Sequence, residues 1–204
     1  IVSLVLDIDA GIASEPADKG GVCQLTASTL VRGGTETLSA EEFNRKAELS
    51  GIKFGHQITP DFTKITAQCL VQDIDEAMDM LMDLIQNPRF DETELELVRS
   101  LQVEEIRRAE QVPFFQAFNT IRKRIYGENH PNSRVPDDEM LYKLTRDDLM
   151  AFHKAMYQPD ICRFAVIGAA DDEICDKLKK KIVAWNGKAT GKTVLPEPVP
   201  VTED

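Results

Sequence analysis

The chain has 204 residues, of which 42% are hydrophobic, 29% charged and 6% aromatic, a balance that suits one globular domain or two small ones and excludes disordered and fibrous classes. No apolar run reaches the roughly 18 residues that a membrane-spanning helix needs, because the richest stretch, at the start, is cut by Asp7 and Asp9. With 35 acidic against 24 basic residues the net charge is -11, a field that repels nucleic acid and anionic membranes, so neither is expected as a partner.

Four cysteines, Cys23, Cys69, Cys162 and Cys175, stand far apart with no C-x-x-C pair, and are expected to be small buried apolar residues. The numbering opens at Ile1, inside an alternating apolar stretch and without Met or a charged leader, from which a piece of a longer chain is expected. Residues 1–9 alternate, with Val2, Leu4, Leu6 and Ile8 on one side, and predict a half-buried strand. Gly20-Gly21 and Gly33-Gly34 bracket a short helix with Val22, Leu25, Leu30 and Val31. Ser39 and Glu42 form a capping box ahead of a second helix that stops at Ser50-Gly51. Residues 52–71 read as two strands around the turn Thr59-Pro60-Asp61.

From Asp73, expected as an N-cap together with Glu76, the spacing of Ile74, Ala77, Met78, Leu81, Leu84 and Ile85 predicts a helix whose methionines fill core. Asp91 caps the next helix, with Leu95, Val98, Gln102, Ile106 and Ala109 on one face, and Pro113 starts another carrying Phe114, Phe118, Ile121 and Ile125. Residues 127–140 are expected as loop, Thr145 caps a helix, 161–168 form a strand, and Asp171 or Asp172 starts a last helix. The succession β-α-α-β-β-α-α-α-α-β-α has too few crossovers for a doubly wound sheet, so the fold class is α+β, with helices packed on a mostly antiparallel sheet. The expected domain is 1–186, followed by a Pro-rich linker over 187–204.

Local chemistry is sparse. His56, His130 and His153 have no i, i+4 partner, so no zinc phrase is encoded around them. The acidic pairs Asp137-Asp138, Asp147-Asp148 and Asp171-Asp172 stand where helix capping or solvent explains them. Gly33-Gly34-Thr35 lacks the Lys-Ser/Thr of a phosphate loop.

Two phrases carry a family resemblance: LIQNPRFDETELELVRSLQVEEIRR at 84–108 and HPNSRVPDDEMLYKLTRDDLMAFHKAMYQPDICRFAVIG at 130–168. The chain resembles the M16 pitrilysin or insulinase-like zinc peptidases, which include the mitochondrial processing peptidase, over nearly the whole domain. The resemblance implies the LuxS/MPP-like metallohydrolase fold. In active members the helix matching residues 21–33 bears H-x-x-E-H, two zinc-binding histidines and a glutamate that activates water. Here those positions hold Gln24, Ala27 and Ser28. Glu105, in Val103-Glu104-Glu105-Ile106, matches the third ligand, and Val98 stands where a supporting acid is frequent.

The resemblance therefore implies a non-catalytic domain, with no catalytic residue, no metal ligand set and no cofactor of its own. Glu105 is then a vestigial position and an ordinary helical carboxylate. The implied parent protein is a zinc metalloendopeptidase whose catalytic half, fused or separate, holds the zinc. The domain's implied partners are that half and a peptide substrate enclosed between the two. A purely structural assembly subunit, similar to the core proteins of a respiratory complex, is the alternative, and an altered metal site using Glu105, His56 and an outside carboxylate is a third. The compartment is open, with a periplasmic location among the expectations for a bacterial source.

Overall fold

In the computed structural model, residues 1–128, 130–191 and 196–197 are described. Among these residues four strands form one sheet in the order β2-β3-β1-β4, all antiparallel: β1 (Val2–Ile8), β2 (Lys53–Ile58), β3 (Thr63–Cys69) and β4 (Cys162–Gly168). β1 sits at the centre, pairing Leu4 with Ala67 on one side and with Val166 on the other. Its alternation sends Val2, Leu4, Leu6 and Ile8 to the same face as Ile65 and Ala67, and all six are fully buried. The register carries Phe54, His56 and Ile58 of β2 onto that face as well.

The helices among these residues are α1 (Val22–Leu30), α2 (Ala40–Leu49), α3 (Ile74–Gln86), α4 (Glu92–Glu110), α5 (Pro113–Tyr126), α6 (Asp138–Lys143), α7 (Arg146–Met156) and α8 (Asp172–Ala184), and of these α1 and α3 pack most directly on the inner face. The fold is thus α+β with a four-stranded antiparallel sheet, as the pattern of periods predicts. The capping box at Ser39 and Glu42 forms in both directions, and Asp91, Asp137, Thr145 and Asp171 each accept a backbone N–H at the start of a helix. Met78, Met80 and Met82 are buried in the core.

Four expectations need correction. Asp73 makes no side-chain cap, because a 3-10 turn at Val71–Asp73 delivers the chain into α3; Glu76 instead accepts from Ser50 Oγ and pairs with Lys46 at 3.4 Å. The stretch 127–140 is not all loop, since Asp137 caps α6 and the gain is burial of Leu141. Only Cys23 and Cys69 are buried, while Cys162, on the edge strand, and Cys175, on α8, are partly exposed. The apolar residues of α5 do not enter the core at all: no residue of that helix is buried.

Of the expected linker, Ala189 N donates to Asp160 Oδ1 at 2.9 Å and Thr190 N to Ala155 O at 3.1 Å, while 192–195 and 198–204 lie outside the described residues. Two histidines act as structural pins. His130 accepts from Asn132 N at Nδ1, which leaves Nε2–H to donate to Pro196 O at 2.9 Å. His153 is buried between Phe90 and Tyr157 and its Nε2 meets Ile85 O at 2.8 Å.

Leu81 is fully buried in α3, so Leu81→Ala is expected to cost about 2–5 kcal/mol in chemical denaturation; an unchanged midpoint would show the site collapses without loss. Burial pushes the His153 imidazole down from 6.5 to about 4. Its neutral form is favoured on folding, so its stabilising contribution is complete above 6.5 and is lost as pH falls towards 4. Thermal unfolding followed from pH 7 to pH 4.5 should therefore show a steeper loss in the native chain than in His153→Gln, which is less stable at neutral pH but has nothing to protonate.

Candidate functional site

Every residue of α1 except Gln24 is buried. The helix lies between the sheet and helices α4 and α7, and it starts at Gly21, whose φ of 91° is left-handed and suits glycine. Glycine has no side chain to cap the helix, and the missing acceptor comes from the chain six residues before it: Glu15 Oε1 takes Gly21 N at 3.1 Å and Cys23 N at 3.0 Å. Those two N–H bonds place a carboxylate at the positive end of the helix dipole. Burial outweighs them and raises the Glu15 carboxyl to about 7, the helix amides and Arg134, 3.8 Å away, pulling in the other direction.

Beside Glu15 opens a cavity of about 240 Å³ lined by Glu15, Gln24, Gln102, Glu105 and Arg134, with Ile12, Ile106 and Pro136 as its apolar part. The structure therefore brings Gln24 and Glu105 to one cavity, from α1 and α4. Ala27 is fully buried and offers only a methyl group. Ser28 is turned the other way. Its Oγ accepts from Gln24 Nε2 at 3.2 Å and lies 2.9 Å from His56 Nε2, the residue that the β2–β3 register puts on the sheet's inner face. Burial lowers the His56 pKa, so its ring is neutral at pH 7.

The Ser28–His56 contact has the distance of a nucleophile and its base, but Ser28 is in the last turn of the helix, where neighbouring amides are bonded within the helix and cannot receive an oxyanion. Cys23 is no nucleophile either, since burial pushes its thiol up to about 12.

The donor set at the α1 positions, an amide, a methyl and a hydroxyl already engaged by Gln24 and His56, does not fit zinc, which takes imidazole, thiolate or carboxylate. Among the described residues no three His, Cys, Asp or Glu side chains stand close enough to hold a metal ion. His56 does not line the cavity that holds Glu105, so the altered metal site gains no pair from this domain.

Sequence reading missed Glu15 and Arg134. Neither belongs to a local pattern, and the one available signal was an acid shortly before a Gly-Gly helix start.

Residues 1–135 match the family model described as insulinase (peptidase family M16), and residues 143–204 match the model of the peptidase M16 inactive domain. An uncharacterized zinc protease of Bacillus subtilis, YmxG, is 25% identical over 93% of this chain and 47% of its own length. One of Mycobacterium leprae is 24% identical over 81% of this chain and 37% of its own. Among solved structures, the peptidase M16 inactive domain from Pseudomonas fluorescens superposes with a TM-score of 0.85 at 22% identity, over 97% of this chain and 48% of that one. The first half of the periplasmic protease PqqL from Escherichia coli gives 0.80 at 20% identity, over 96% and 44%. The chain thus spans about half the length of the relatives it matches.

Glu15→Gln keeps an oxygen for the amides of Gly21 and Cys23 but cannot ionise. The native carboxyl is protonated on folding between 4.5 and 7, so its contribution is fully present below 4.5 and is lost as pH rises through 7. The variant is expected to match the native chain near pH 5 and to exceed it at pH 8, by a margin on the order of 3 kcal/mol. Equal pH profiles in thermal denaturation would show that Glu15 is solvated.

Proposed function

Because the chain belongs to the insulinase family of peptidases, family M16, and carries Gln24, Ala27 and Ser28 where active members carry H-x-x-E-H, we propose that it is a non-catalytic domain of a zinc protease. Its role in this reading is to wall a chamber, contact the catalytic half, and hold peptide for a zinc site in that half. The observation that carries the reading is Ala27, fully buried at the position of the water-activating glutamate. No proton acceptor can be presented from there.

The cavity beside α1 supports the peptide-binding part. Gln24 and Gln102 offer amides that can both donate to and accept from a peptide group, and Gln102 Oε1 is buried with no partner among the described residues. Glu105 and Arg134 add charges of both signs and Ile12, Ile106 and Pro136 an apolar floor. A peptide amide pairing with Gln102 would remove the cost of that unsatisfied oxygen.

Two measurements test this. The purified chain, incubated with zinc and desalted, is expected to retain far less than one ion per molecule and to leave unstructured peptides uncut; stoichiometric zinc together with chelator-sensitive hydrolysis refutes the reading. Gln24→His, Ala27→Glu and Ser28→His combined would rebuild a ligand set around Glu105, yet weak zinc binding and little cleavage are expected, since Val98 and buried neighbours give the new imidazoles no support. In the parent protein, Gln102→Ala should weaken peptide binding about fivefold, the equivalent of one hydrogen bond, and unchanged affinity would remove the cavity from the peptide path.

A further inference from the structure

α5 is amphipathic, but its apolar stripe faces solvent. Phe114, Phe118, Ile121 and Ile125, spaced i, i+4, i+7 and i+11, are 77%, 47%, 53% and 45% exposed. The helix rests on the domain through a neighbouring flank, where Phe115, Asn119, Arg122 and Tyr126 are half-buried. Phe114 and Phe118 stack on each other at 6.0 Å and Arg122 lies over the Phe118 ring at 5.2 Å, so the stripe is ordered against itself. The Pro113 start and the Gly127 stop fix its ends. Four large apolar side chains in one row, on a helix with no core role, make a contiguous patch of the kind that marks an interaction site.

The charge of α5 narrows the occupant. The helix carries Arg122, Lys123 and Arg124 and no acidic residue, in a chain whose net charge is -11. A two-fold contact between copies of this helix would set its three cations against themselves, and an anionic membrane would meet the strongly acidic remainder of the chain. The chain covers 47% and 48% of the length of the B. subtilis and P. fluorescens relatives, which leaves about as much protein again to be packed against it.

We propose that the stripe of α5 is the docking face for the portion of the parent protein beyond this domain, through a surface there that is apolar at its centre and acidic at its rim. The inference rests on the reading that the domain contacts the rest of a longer peptidase. Phe118 and Ile121 form the centre of the contact and Arg122 and Arg124 border it.

The test uses the full-length parent protein with Cys162 and Cys175 replaced by Ser, carrying Phe118→Cys or Ile121→Cys, with Leu49→Cys, 83% exposed on α2, as the reference. Thiol labelling under native conditions is expected to be at least about tenfold slower at 118 and 121 than at 49; equal rates overturn the proposal. Phe118→p-benzoylphenylalanine then identifies the occupant after irradiation and mass spectrometry. Crosslinks within the same chain to an acidic, apolar segment outside these 204 residues support the proposal. Crosslinks to a second copy, to another part of this domain, or to lipid when phosphatidylglycerol vesicles are present, overturn it. Peptide affinity of the unaltered parent is measured separately: its absence with residues 118 and 121 protected defeats the peptide-holding reading and leaves the docking face standing.

Discussion

The enclosure of α1 is the constraint on which the rest of this structure depends. A nine-residue helix lies between the inner face of the sheet and two further helices, with every position but Gln24 removed from water. Any polar group on it must therefore find a partner inside the protein or go without. The start of the helix meets that demand through Glu15 and its last turn through Ser28 and His56, the hydroxyls of Thr26 and Thr29 go without among the described residues, and its only side chain with access to the cavity is an amide. A site that held a metal ion would have brought its own charge into this setting. The neutral side chains at these positions carry less desolvation cost than histidine and glutamate would there.

Two buried titratable groups act in opposite directions on stability. His153, on α7, is held neutral where it meets Ile85 O and packs edge-on to Phe90 and tilted against Tyr157. Glu15, its carboxyl raised to about 7 by burial, lies under the N-terminus of α1. Acid weakens the first and alkali the second, so together they favour mildly acidic to neutral conditions. The first ties helix to helix and the second loop to helix, and in each burial, not a neighbouring charge, is the largest cause of the shift.

The same economy separates the two faces of the molecule. Inside, α1 and α3 fill the space over β1 and β3 with Leu, Ile, Met and Ala. Outside, ion pairs such as Lys177–Asp75 at 2.9 Å stand at the surface and contribute little to stability, while Lys19–Asp148 at 2.6 Å is partly buried. α5 belongs to neither layer: apolar on its solvent side and basic on an acidic protein, it has the composition of a contact rather than of a surface.

Element types, the α+β class and most helix starts were legible in the sequence because they rest on local physics: period two in residues 2–8, period 3.6 in α3, and a Ser or Asp oxygen three residues from the amide it caps. The residue types at Gln24, Ala27 and Ser28 were equally plain. What the sequence could not decide was direction and distance. Asp73 had the composition of a cap, but a preceding turn supplied the helix start; α5 had the spacing of a core helix, but no layer was there to receive it. Only the tertiary fold brought Glu15 to the amides of α1, Glu105 to the cavity of Gln24, and His56 to Ser28, because strand register and helix packing join positions that no local spacing connects.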